Sequence, residues 1–442
     1  MGGEIMKNKN NTSSGQALVI IALAMMALVG IVGLALDGGN TYADRRQAQN
    51  AADSSALAAA RAYSYNLALS DNDVRAIVLN STTPNGFNSV SPRSTITVTK
   101  TVSSTACDAY TNGYFIQVDI TSVVPTYFAK AVGVNNITNK VSARALACPP
   151  HPAPVAQGNA LVALNETACP GTKITGNATI IVTSTSNSGM WVNSGCNEGS
   201  NSSKVALSAG GSADVTIPAV SVVGGVYGQN IFMPTTVQTG VPQIDKESMQ
   251  WPTFPCTGQV TLAGTVKIGG VDYKNYTPGV YPGNNPQWKK KVFPPEAYAF
   301  FSPGVYCIDE DFSILAHDSM KGTGVTFVSR QGNVVFRGGG GVNLTAPTDA
   351  NNPYKGLLIF VTEANTAGNV TINGNAKLNV TGSIFAPWND ITINGTGDVS
   401  APINAQIIGD KLFFTGNGTT NIAYNGDSQF MTSQSGQLQL YK

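Results

Sequence analysis

Chemistry, if this chain performs any, has few places to reside. The densest carboxylate group is "CIDEDF", where Asp309, Glu310 and Asp311 are followed by His317, Asp318 and Lys321. In an extended strand, alternation sends Asp309 and Asp311 to one face. Two carboxylates on one face beside a basic residue are the minimum for acid/base cleavage of a glycosidic bond, or for calcium-assisted lyase chemistry. A solvated turn is the plainer reading of the same residues.

The other candidates are weaker. Asp398, Asp410 and Asp427 recur at uneven spacing and read as turn-favouring aspartates. "RGGGGVN", from Arg337 to Asn343, has no following Gly-Lys-Ser/Thr and opens no helix, so it is not a phosphate loop. The two histidines, His151 and His317, leave zinc and imidazole chemistry little to work with. Trp251, Trp288, Trp388 and Tyr354 have the ring faces that stack on sugars, although such residues more often pack internally. Sequons at Asn177, Asn343, Asn379, Asn394 and Asn417 are what chance gives in an Asn/Thr-rich chain. No catalytic, cofactor-binding or metal-ligating residue is assigned, no cofactor is expected, and the chain is expected not to be an enzyme.

The elements that would position these residues are set by composition and pattern. Charged residues make up 12 % of 442 and the formal net charge is +1, so no basic footprint for nucleic acid exists. Residues 17–36 carry no charge at all. At about 1.5 Å per residue this run covers roughly 30 Å, the thickness of a bilayer core. Lys7 and Lys9 precede it, which places the N-terminus in the cytoplasm and the bulk of the chain outside the membrane. A cleaved signal peptide would show a small-residue processing site after the run, whereas "DGGNTYADRRQAQNAADSSALAAARA" continues as helix. A retained single-pass anchor is therefore expected, with Gly38 and Gly39 the one weak point in a helix that reaches about Leu69. Alanines 48, 51, 52, 56, 58, 59, 60 and 62 give that helix a small-residue surface for a second helix or for its own domain.

Six cysteines, Cys107, Cys148, Cys169, Cys196, Cys256 and Cys307, all lie beyond the anchor with no CxxC pair, as in an exported disulfide protein. Fifteen connectivities exist. Sequential pairing is expected because each bridge then stays within one organisational unit.

The residues Gly15, Gln16, Asp37, Tyr42, Arg45, Arg46, Gln49, Asn50, Ala51, Ala52 and Asp53, in that order and spacing, resemble the N-terminal region of TadG-like (TadE/G-like) proteins of Flp, or tight-adherence, pilus systems. The resemblance covers about the first 65 residues. The family also often carries a segment like Tyr114 to Ala147, strands around a short "PTYFAKAVG" helix, which implies a pilin-like α+β neck. Two departures restrict what carries over. Counting from Gly15, Ile20 stands where processed pilins have a glutamate, so the resemblance implies an unprocessed accessory anchor. "ADSSAL" puts Leu57 where the second serine of a DxSxS metal site would fall, so metal-dependent adhesion chemistry does not carry over.

Beyond a proline-rich linker, short alternating runs closed by Gly-Asn turns recur about every 20 residues, as in "VTINGNAKLNVTGSIFAPWND" and "ITINGTGDVSAPINAQIIGD". Strands at that period without helices read as rungs of a parallel β-helix, or solenoid; a β-sandwich is the alternative. The "PGVY", "GTGVTF" and "GSIFAP" elements resemble extensions of long TadG-like proteins. The expected organisation is a cytoplasmic tail (1–16), a transmembrane helix (17–36), a helix extension with a small pilin-like α+β unit (37–148), a proline-rich linker (149–159) and a β-solenoid head (160–442). The expected function is a membrane-anchored extracellular structural protein of a Flp/Tad pilus system, in pilus assembly or surface adhesion. Its partners would be the membrane, other pilus or envelope proteins and surface glycans. The alternative is an anchored polysaccharide-acting enzyme or glycan-binding module.

Overall fold

The computed structural model describes residues 14–88, 92–107, 111–184, 188–233, 236–282, 292–337, 341–373, 378–395, 403–434 and 436–441. Lys7, Lys9, Trp288, Asp398 and the glycines at 338–340 lie outside the described residues, as does the side chain of Gln16. The chain is mainly β with one long N-terminal apolar helix, and it forms two compact units: residues 1–151 with 434–442, and residues 152–433.

Helix α1 (Ser14–Tyr65) is unbroken, passing through Gly38 and Gly39 without a kink residue or partner. It stops at Tyr65, four residues short of the expected end. There Asn66 caps the turn, and α2 (Asp71–Thr82) begins with a capping box between Ser70 and Asp73. Strands β1 (Ser94–Ser103), β2 (Gly113–Pro125) and β3 (Asn136–Cys148) form an antiparallel sheet. The alternation read in "YFIQVDITSVVP" sends Ile116, Val118 and Ile120 to its inner face. Ala143, Ala145 and Ala147 of β3 lie in the same buried cluster as Ala48, Ala52, Ala56 and Ala59 of α1. Small side chains on both surfaces let helix and sheet backbones approach closely, so the alanine face of α1 is consumed by its own sheet.

A fourth strand, Gln437–Tyr441, pairs antiparallel with β3. A head running without interruption to residue 442 was expected, but the last strand completes the sheet of the first unit. The second unit is thus inserted, in chain order, between two neighbouring strands of the first. The physical reason is edge satisfaction: Arg144 to Cys148 would otherwise present unpaired backbone groups.

In the second unit, successive strands fall in turn onto three faces, and pairing along each stack is parallel apart from one terminal hairpin, unlike the antiparallel sheets of a sandwich. The steps are regular in the last turns, where Val370 lies beside Ile391 and Ile391 beside Leu412. The order is not the chain order. Turns from Leu161 to Thr239 stack away from the first one; residues 241–257 then cross to the far end, where the hairpin Thr261–Ile268 with Val271–Thr277 sits. From there the turns stack back until Ile407–Gly409 pairs with Leu161–Ala163. First and last turns are therefore neighbours in the middle of the stack.

The crossing segment decides the composition of one face. Strand residues Leu161, Met190, Ile359 and Ile384 point into the interior cluster, while their neighbours Val162, Trp191, Phe360 and Phe385 are covered by Trp251, Phe254, Met249 and Ile244 of the crossing segment. Burial on both sides explains why "LVA", "MWV" and "LLIFV" are apolar throughout rather than alternating. At the other end the interior is filled by Tyr276, Tyr281, Phe293, Phe301, Tyr306, Phe312 and Phe327, all fully buried. The Tyr306 hydroxyl lies 2.7 Å from the carbonyl oxygens of both Tyr276 and Ser302, the two acceptors open to its single proton. Burial raises the pKa of the Tyr306 hydroxyl and pushes that of Tyr281 up to about 12.

Bridges Cys107–Cys148, Cys169–Cys196 and Cys256–Cys307 are formed, as sequential pairing anticipates. One corner is built from glycine. A Cβ on Gly416 would meet the carbonyl oxygen of Gly395 at 2.1 Å, one on Gly176 that of Gly416 at 2.5 Å, and one on Gly211 that of Gly176 at 2.4 Å. Gly416, Gly176 and Gly211 also have positive φ. This column crosses the junction between last and first turns, and it includes the glycines of the Gly176-Asn177 and Gly416-Asn417 signals. Side chains add a ladder beside it: Asn394 donates to Asn373 at 3.1 Å and Thr415 donates to Asn394.

Gly176→Val should therefore open the junction. Left-handed strain and the carbonyl clash each cost about 1–3 kcal/mol, and thermal unfolding followed by near-ultraviolet circular dichroism should show an earlier loss of the second unit.

Candidate functional site

The carboxylates singled out from sequence are used structurally. Asp309 holds Arg330 in a bidentate ion pair at 2.7 and 2.6 Å. Asp311 accepts from the backbone N–H of Asn333 at 2.7 Å, and Asp318 accepts from that of Leu315 at 2.7 Å. Each carboxylate thus ties a turn to the turn above it or closes its own. Lys321 lies over the ring of Tyr273 at 5.0 Å, away from any of these pairs. Asp410 accepts from Asn165 at 2.8 Å and pairs with Lys246 at 3.6 Å, and Asp427 sits in the capped turn Gly426–Ser428. Among the described residues no group of three or more His, Cys, Asp or Glu could hold a metal.

Three of the four aromatics named from sequence do come together. Trp251, Phe254, Phe360 and Trp388 line an open cleft of 560 Å³ whose rim carries Glu247, Glu363 and Arg330. Tyr354 stacks on Phe254 at 4.9 Å. The Trp251 indole N–H is buried without a hydrogen-bond partner. Asp309 therefore acts at this cleft through the arginine it orients. Sequence reasoning missed the cleft because Trp251 reaches Trp388 only through the crossing segment.

The most closely built site is in the first unit. Asp37, the residue that ends the uncharged run, is only 4 % exposed. Its carboxylate accepts from the backbone N–H groups of Tyr127, Phe128 and Ala129 at 2.8, 3.0 and 2.7 Å. These amides open the short 3-10 turn Ala129–Val132 in the β2–β3 connection, where the turn's dipole also favours a negative charge. The bonds from Ala129 and Tyr127 hold the carboxyl pKa below the usual range against some opposing desolvation. One helical turn earlier, Gly33 is covered by Phe128, and a Cβ there would meet the ring at 2.6 Å. Further along, Asp44 accepts from Asn139 at 2.8 Å and from Ser122, and Gln49 donates to Asp53 at 2.8 Å and to the Ser142 carbonyl at 3.1 Å. Tyr42 and Arg45 remain exposed.

The other half of α1 has no such partners. Every large apolar side chain from Leu18 to Leu36 is more than half exposed. An uncovered apolar rod of this length and composition is consistent with a single-pass membrane anchor. Residues 15–62 match the family model of TadE/G-like Flp pilus-assembly proteins. No curated protein matches the chain. No solved structure matches it either. The matched stretch contains Asp37, Asp44, Gln49 and the buried alanines, so the segment similar to the family is also the one that docks the sheet onto the helix.

Because its pKa is lowered on folding, the Asp37 contribution is complete above the ordinary carboxylate value of 3.8 and is lost as pH falls through the lower folded value. Amide hydrogen exchange at Tyr127, Phe128 and Ala129 should accelerate in that acidic window. Asp37→Asn should show the faster exchange already at neutral pH, and without the acid transition.

Proposed function

We propose that the chain is a membrane-anchored structural protein of a Flp/Tad pilus system. It acts in pilus assembly or surface adhesion, and the second unit is a parallel β-helix head carried on the extracytoplasmic side. The N-terminal lysines and the three disulfides support that orientation.

The observation that carries this reading is the division of labour along α1. Its first half is uncovered, while the alanine face of its second half is already filled by β2 and β3. The alanine face of that second half is therefore not available for packing among neighbouring pilin helices. The chain is therefore read as an anchored assembly or envelope component, not a subunit packed into the filament by its N-terminal rod. When filaments are sheared from native cells, an antibody to residues 152–433 should find the protein in the membrane fraction. Recovery along intact filaments would overturn this reading, as would normal piliation and adhesion in cells lacking the protein.

The aromatic cleft favours a second reading, a non-catalytic glycan-binding head. Partly exposed rings beside carboxylates and an oriented arginine match the alternating apolar faces and hydroxyls of a sugar. On a glycan array the full chain in detergent should bind without turnover, and Trp251→Ala or the exposed Glu363→Ala should weaken binding roughly tenfold, about 1.4 kcal/mol.

A further inference from the structure

The connection between β2 and β3 is unusually apolar for a water-facing loop. Tyr127 is 71 % exposed, Phe128 45 %, Val132 79 % and Val134 45 %. Four such exposed side chains within eight residues form a patch of the kind that marks an interaction surface. Their position along α1 identifies what they face. The Asp37 bonds and the Phe128 contact with Gly33 hold the loop against the helix at the very end of the uncharged run. Gly33 lies three residues inside that run, about 4.5 Å at 1.5 Å per residue. The loop therefore sits at the depth where acyl chains give way to headgroups, the zone that Tyr and other amphipathic rings prefer.

We propose that residues 127–134 form an interfacial foot: Tyr127, Phe128, Val132 and Val134 dip into the leaflet at the C-terminal end of the span, and the exposed Lys130 meets lipid phosphates. The foot and α1 then grip the bilayer at two points, which fixes the tilt and rotation of the first unit on the membrane. An anchor alone leaves both free. The proposal rests on the reading of residues 17–36 as a membrane span. The patch is continuous with that span through Phe128 and Gly33, and this continuity selects lipid as the occupant. Gly33 also gains a reason to be glycine within a helix, since any side chain there would displace the foot.

The test is depth-dependent fluorescence quenching of the full chain reconstituted in phosphatidylcholine vesicles. Bromine is carried on the acyl chains either near the headgroup or near the terminal methyl. Three single substitutions are compared over the constant background of native tryptophans: Val132→Trp, Tyr127→Trp and Met26→Trp. Both loop variants should show blue-shifted emission and lose intensity mainly to headgroup-proximal bromine, whereas Met26→Trp should lose it mainly to bromine near the methyl end. Quenching of Met26→Trp with none at either loop position would overturn the foot and leave the span standing. Absence of quenching at Met26→Trp would overturn the span and the foot with it. Loop emission that ignores bromine but shifts blue as protein concentration rises would assign the patch to a second copy of this chain, again overturning the proposal.

Discussion

The carboxylate of Asp37 stands at the point where one helix passes from an uncovered apolar half to a half packed on a sheet. Above it α1 is wrapped by sheet; below it α1 is uncovered and apolar on every side. A carboxylate only 4 % exposed is costly unless its lone pairs are engaged, and here three consecutive backbone amides engage them. Without that latch the β2–β3 connection loses the bonds that tie it to Asp37, and the sheet is held to α1 by the alanines and by the bonds of Asp44 and Gln49 further along. With it, the length of the exposed apolar segment and the start of the packed segment are fixed to within a residue.

The second unit obeys a different constraint. Parallel strands satisfy one another's backbone groups only if each turn repeats the path of the turn before it. The glycine column permits this at one corner, because carbonyl oxygens there occupy the space a Cβ would need. The same rule lets the stack close in an order unlike the chain order. Leu161–Ala163 accepts Ile407–Gly409 as readily as a consecutive strand, provided residues 241–257 carry the chain to the far end. The crossing segment then does two further things: it covers an apolar face, and it brings Trp251 beside Trp388 to make the cleft.

Much of this was legible in sequence. The uncharged run, the alanines, the strands around "PTYFAKAVG" and the turn-bounded repeats each follow from local periodicity, which side-chain type encodes directly. The disulfide pairing was legible for a similar reason, since each bridge joins residues of one unit. The candidate sites fared differently. Asp309 and Asp311 invited a catalytic reading, yet what they contact, Arg330 and Asn333, belongs to the next turn, about 20 residues away along the chain.

Local pattern was enough to give where the uncharged apolar run ends, which helix face is small, and that the remainder is strand and turn, because hydropathy, volume and glycine freedom act over a few residues. Only the tertiary structure decided that the alanine face is spent on its own sheet, that the last strand returns to the first unit, and that first and last turns meet. Those outcomes depend on which distant backbone edge satisfies which, and no local pattern records that choice.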